Sequence, residues 1–206
     1  MIRKLFASIF LAFLLCGSAA AYSPYTSICS IGMANGGAGS GFLVKVEGPW
    51  AWVVSAEHVG QRVGNQVMIR WRWGGDQKSK GKVIYVMPGD GFRTDICIIK
   101  CPRPQWLVPV PLSKYDPDNG PWVAAGFRDG RMRIAQSDSS ERWEDNDYTI
   151  RLDDGGIPGM SGGPCFDRYG RVIGVVVAGP RNEGDYSWEV MSDGGSDLRV
   201  ILDKCE

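Results

Sequence analysis

Three short segments of this chain hold the residue types that activate a nucleophile. Trp52-Val53-Val54-Ser55-Ala56-Glu57-His58 is an apolar run ending in a small-residue turn, and it carries the single histidine of the sequence. In Thr94-Asp95-Ile96-Cys97-Ile98-Ile99 an aspartate opens an apolar run, and Gly159-Met160-Ser161-Gly162-Gly163-Pro164 sets a serine among glycines. A serine hydroxyl attacks poorly at neutral pH unless a base takes its proton. Imidazole titrates near neutrality, so His58 suits that task and can later return the proton to a leaving group. A carboxylate, here Asp95, holds the ring in one tautomer and stabilises the cation it becomes. The oxyanion formed on attack needs preorganised N–H donors, for which the backbone of Gly159 and Ser161 is the candidate. Glycines beside the serine allow strained backbone angles and close approach to a substrate. With one histidine in the chain, a multi-histidine metal centre is excluded.

Short strands must position these groups. Alternating or β-branched runs bounded by Gly, Pro, Asn and Asp predict strands at 41–46, 51–55, 66–71, 82–87 and 96–100. A passage with Pro102, Pro104, Pro109, Pro111, Pro117 and Pro121 reads as a linker over 102–121. A second group of strands follows at 122–126, 132–136, 148–152, 164–166, 172–177 and 188–191. Arg128-Asp129-Gly130 is a hairpin turn between two of them. Residues 196–204 read as a closing helix, with Ser196 as N-cap and Leu198, Ile201 and Leu202 as its apolar face. This pattern predicts an all-β chain of two small barrels or sandwiches.

The order His, Asp, Ser is that of the chymotrypsin-type triad, not of subtilisin or the α/β-hydrolases. The chain resembles a chymotrypsin-fold (trypsin-like) serine protease of the compact bacterial type. Gly39-Ser40-Gly41-Phe42-Leu43-Val44 resembles the strand that opens the first barrel of that family. Val54-Ser55-Ala56-Glu57-His58-Val59 resembles its histidine segment, and Asp95-Ile96 its aspartate strand. Ser161-Gly162-Gly163-Pro164 matches its nucleophile core, and residues 170–177 resemble the strand that flanks the substrate backbone. The resemblance spans roughly residues 31–190. It implies two six-stranded antiparallel barrels, the first over about 31–105 and the second over about 122–195, with the site between them. His58 and Asp95 would come from the first and Ser161 from the second. The activity implied is a serine endopeptidase acting on protein or peptide through an acyl-enzyme, with no metal or cofactor.

The chain departs from the family pattern at several positions. Glu57 adds a second carboxylate beside the histidine. Met160 stands where the digestive enzymes carry an aspartate that pairs with a newly cut N-terminus, so that mode of activation is not expected. The base of the primary pocket maps to Gly155 and its wall to Val177, Ala178 and Gly179, which favours a small or apolar residue before the cut. Asp153 and Asp154 lie close enough in sequence that a loop shift would reverse that preference. The glutamate-specific relatives use a second histidine, which this chain lacks.

Composition bounds the rest. The 206 residues carry 23 Lys+Arg and 23 Asp+Glu, so no basic excess points to nucleic acid. Arg3 and Lys4, an apolar run over 5–16 and Ser18-Ala19-Ala20-Ala21 predict a cleaved export signal over 1–21, with a peptidase domain over 22–206. The run is too short for a membrane span, so no stable span is expected after cleavage. A secreted or periplasmic location follows, and disulfides among Cys29, Cys97, Cys101, Cys165 and Cys205 become an expectation, with at least one thiol left over. Cys97-x-x-x-Cys101 lacks a second pair for zinc. Met68-Ile69-Arg70-Trp71-Arg72-Trp73 fits a cationic aromatic patch or an amphipathic barrel strand, and its alternation favours the strand. Residues 137–147 read as a solvated polar loop. Two rival functions remain: a catalytically silent binding or adhesion module of the same fold, against which retention of all three triad residues argues, and an esterase.

Overall fold

A computed structural model describes residues 23–73, 76–87, 95–113, 121–137, 140–142, 148–151, 158–177, 189–191 and 202–203. The predicted export signal, Gly155, Ala178, Gly179 and most of the predicted closing helix lie outside these residues. Within the first half, β1 (Ile28–Gly32), β2 (Ala38–Glu47), β3 (Trp50–Ser55), β4 (Gln66–Trp71), β5 (Gln77–Val86) and β6 (Cys97–Pro102) close an antiparallel barrel in the order β1-β2-β3-β6-β5-β4. The long apolar runs have a topological cause. In β2, Phe42 and Val44 pack into one cluster while Leu43 packs into another, and β3 and β6 split likewise at Val54/Val53 and Ile98/Ile99. One face of each of these three strands fills the barrel and the other meets the second half, so both faces demand apolar residues.

Register ties the barrel to the residues of interest. Ser55 pairs with Cys97 and Trp50 with Pro102. The end of β3, which leads to His58, therefore lies beside the start of β6, which follows Asp95. A one-turn helix α1 (Glu57–Gly60) leaves β3 at this end of the barrel.

The second half holds β7 (Trp122–Arg128), β8 (Arg131–Ser137), β9 (Ser140–Arg142), β10 (Tyr148–Arg151), β11 (Pro164–Phe166), β12 (Val172–Val176) and β13 (Glu189–Met191). They form a seven-stranded sheet in the order β8-β7-β11-β12-β13-β10-β9. The β7–β8 turn is the predicted hairpin, with Asp129 at φ 50° and Gly130 at φ 70°. Both left-handed residues give the turn the twist that a two-residue hairpin requires. Together with the short helical segment at residues 202–203, where Leu202 is buried against the core, this is the chymotrypsin-like double-barrel architecture.

Several details differ from the sequence reading. Strand β1 was not expected, and Ser140–Arg142 pairs with β10 where a solvated loop was expected. The disulfide expectation is not met among the described residues, where Cys29, Cys97, Cys101 and Cys165 are buried free thiols. Burial pushes all four thiols up, that of Cys101 to about 12. They pack as small apolar side chains inside their own clusters.

Candidate active site

His58 sits in the single turn of α1, and three contacts fix that turn. The Cys97 thiol donates to the Ala56 carbonyl at 3.2 Å. Gly60 lies so close to Cys97 that a Cβ there would stand 2.6 Å from the sulfur. The His58 backbone N–H donates to Asp95 Oδ1 at 2.9 Å. Asp95 then uses its second oxygen on the ring, with Oδ2 2.6 Å from Nδ1. One carboxylate thus holds both the backbone and the imidazole of the same residue. Since an ionised carboxylate only accepts, Nδ1 carries the proton and Nε2 is left as the basic nitrogen. The side chain of His58 is 45% exposed, while that of Asp95 is 12% exposed. The Asp95 hydrogen bond raises the His58 pKa above the ordinary value, burial opposes this, and the charges of Asp95 and Glu57 raise it further.

Ser161 arrives from the second half on a loop locked to the first. The Ser40 N–H donates to the Ser161 carbonyl at 2.7 Å. Gly162 has φ +84°, and a Cβ there would stand 2.2 Å from the Ser40 carbonyl and 2.8 Å from the Ala56 nitrogen. Only glycine allows the serine loop to seat this close to the residue two places before His58. On its other side the loop is held by Gly162 N–H to Val176 and Val176 N–H to Gly163, at 2.6 and 2.9 Å. Gly159 has φ +100°, with its Cβ direction closed by the Phe127 carbonyl.

Ser40, which the sequence marks only as a strand residue, has a positioning role. Its buried hydroxyl donates to the Gly159 carbonyl at 2.8 Å and accepts from the Phe127 N–H at 2.7 Å. The Ser55 hydroxyl in turn donates to the Ser40 carbonyl at 2.7 Å. A buried hydroxyl of the first barrel therefore orients the peptide between Gly159 and Met160. The signal available was a serine between two glycines in a strand otherwise apolar, Gly39-Ser40-Gly41-Phe42.

Met160 is fully buried in the apolar cluster of Trp122, Ala124, Ala135, Cys165, Ile173 and Val176. Its position is filled by packing and not by a charge that an amino terminus could meet. Val177 is buried just beyond β12. Of the four expected pocket residues it is the one that the structure describes. Among the described residues no group of three or more His, Cys, Asp or Glu side chains is arranged to hold a metal ion.

A model of the trypsin-like peptidase domain matches residues 39–175. No curated protein matches the sequence. Among solved structures the chain is similar to an inactive form of Rv3671c from M. tuberculosis H37Rv, with a TM-score of 0.63 and 22% identity over 93% of this chain and 92% of that one. It is similar to the serine protease of a human pathogenic astrovirus, with a TM-score of 0.61 and 22% identity over 82% of this chain and 90% of that one. The serine endoprotease from Yersinia pestis gives a TM-score of 0.67 at 16% identity, over 87% of this chain and 62% of that one. These likenesses establish the fold.

Proposed function

Because the chain belongs to the trypsin-like peptidase domain family and is a serine-type peptidase, we propose that it is an endopeptidase working through an acyl-enzyme on Ser161. The observation that carries this reading is the double grip of Asp95 on His58, at 2.9 Å to the backbone and 2.6 Å to the ring. A structural histidine needs neither a fixed tautomer nor a free basic nitrogen on its exposed side, whereas a general base needs both.

In the proposed reaction Ser161 Oγ attacks the scissile carbonyl carbon as Nε2 of His58 takes the hydroxyl proton. The negative charge on the carbonyl oxygen is met by the N–H groups of Gly159 and Ser161. The peptide C–N bond then breaks, and the imidazolium returns its proton to the departing amine. Water repeats the sequence on the ester, with His58 again as base, and releases the acid and free Ser161. Asp95 stays ionised throughout and stabilises the imidazolium.

Gly155, Val177, Ala178 and Gly179 would line the primary pocket. Their lack of charge and small size support a preference for a small or apolar residue before the cut. The basic start, apolar run and small residues of 1–21 support export, and so a secreted or periplasmic enzyme. The domain would then occupy 22–206.

Digestion of a denatured protein and of a mixed peptide library by the chain lacking 1–21 tests this reading. Internal cleavage after small or apolar residues is expected, and it should vanish in Ser161→Ala and in His58→Ala. Cleavage that survives Ser161→Ala would overturn the assignment. A folded protein that cuts nothing would favour the silent binding module.

A further inference from the structure

The first barrel has two ends, and the tryptophans are distributed unevenly between them. Ser55, Cys97 and Val86 share the end that carries His58 and Asp95. Trp50, Pro102, Trp71 and Gln77 share the opposite end. Trp73 follows β4 at that opposite end, and Trp106 follows β6 there. Trp50, Trp73 and Trp106 are 44%, 47% and 87% exposed, and they are the exposed tryptophans among the described residues. All three lie at the pole away from the site.

Trp106 is held in this position by the surrounding structure. Leu107 beside it is buried in the barrel core, while Val108 is 54% exposed. The Gln77 side chain grips Gln105 from both sides, donating to its carbonyl at 3.4 Å and accepting its N–H at 3.1 Å. Trp106 itself has φ 67°, a left-handed conformation that bulky side chains rarely adopt. A fixed scaffold thus holds an indole out in water.

Charge is uneven between the two halves of the chain. Residues 28–103 contain ten Lys+Arg and five Asp+Glu, whereas residues 104–206 contain eleven and eighteen. Lys78, Lys80 and Lys82 all face outward from β5, and Arg103 is exposed beside Trp106. Lys100 lies over the rings of Trp50 and Trp52, at 5.5 and 4.8 Å. The acids on this side are committed, Asp76 to Arg70 and Arg72, and Glu47 to Lys45. The Ser27 hydroxyl donates to the Val108 carbonyl on the same side.

We propose that this pole is a docking surface for an anionic lipid bilayer, which holds the enzyme on a membrane with its cleft turned to the water. Protruding indoles and a valine suit the boundary between headgroups and acyl chains, and the lysines and Arg103 suit the anionic headgroups. A soluble polyanion would use the cations alone and leave the exposed Trp106 and Val108 without a role. The proposal concerns a surface remote from Ser161 and holds whatever bond the enzyme cuts.

Flotation of the chain lacking 1–21 and carrying Ser161→Ala tests it, using phosphatidylcholine vesicles with and without about one-third phosphatidylglycerol. The anionic vesicles should carry at least about tenfold more protein, and less as salt rises. Combined replacement of Trp50, Trp73 and Trp106 by Ala should cut that binding about tenfold with thermal unfolding unchanged. Lys78→Glu with Lys80→Glu should lose at least about fivefold for each site. Equal flotation with both vesicles would overturn the proposal. So would a tryptophan variant that floats like the parent, which would reduce the contact to the cations alone.

Discussion

His58 carries the pH dependence of the proposed reaction, and the sign follows from its contacts. The base must be neutral, and the Asp95 hydrogen bond together with the charges of Asp95 and Glu57 raises its pKa above that of a free histidine. Activity should therefore rise with pH through a midpoint above the ordinary histidine value. Glu57→Gln removes one stabilising charge from the imidazolium, so the acid limb of the kcat/KM profile should move to lower pH with the peak rate little changed. A midpoint that stays in place or moves upward would contradict the electrostatic account. Ser40 offers a second residue-scale test. Ser40→Ala leaves the buried Phe127 N–H and Gly159 carbonyl without the hydroxyl, and the loop bearing the proposed oxyanion donors loses its tether. A small misplacement there should lower kcat by about 10- to 100-fold with KM nearly constant. Its partner Gly159 lies 119 positions away, so the flanking glycines single out Ser40 in the sequence without revealing what it positions.

At the scale of elements, the site depends on one turn of helix and one glycine-lined loop pressed against each other. Gly60→Ala would push a methyl to 2.6 Å from the Cys97 sulfur and 3.2 Å from Val83 Cγ2. Overpacking of this kind costs about 1–3 kcal/mol. Chemical denaturation should show that loss, and adding Cys97→Ala should recover part of it by making room. Strand legibility followed the same packing logic. β4 and β11 have the bounds that alternation and flanking turns suggest, because each presents a simple apolar pattern to a core. β5 begins at Gln77, five residues before the predicted start at 82, since its inward positions there are Ser79 and Gly81 and carry no apolar signal. The space is already taken, with Ile99 and Ile69 closing on Gly81 at 2.6 and 2.8 Å of a Cβ. β1 was missed because it is short and contains Ser30 and Gly32, and its partners β2 and β4 supply the order. The Met68–Trp73 stretch divides where β4 ends. Ile69 and Trp71 are barrel core as alternation suggests, and Trp73 lies past the strand in water.

For the molecule as a whole, the three chemical segments were legible because each residue type has a distinct task and their order matches one architecture. What sequence could not reveal is how the halves lock. Ser40, Ser55 and Ala56 of the first half meet Gly159, Ser161 and Gly162 of the second through backbone atoms and buried hydroxyls. Met160 adds a consequence for activation. Its burial in an apolar cluster leaves no carboxylate for a new amino terminus, so the chain lacking 1–21 should be active as made. Activity appearing only after a further cut, seen as a smaller band by intact mass, would contradict that.

The central claim is that Ser161 is a nucleophile activated by His58, and covalent labelling tests it most directly. The folded chain lacking 1–21 is treated with a fluorophosphonate, digested, and mapped by tandem mass spectrometry. One adduct is expected, on Ser161, formed far more slowly in His58→Ala and absent in Ser161→Ala. No adduct on Ser161 of the folded wild-type chain, or equal labelling of the His58→Ala variant, would contradict it.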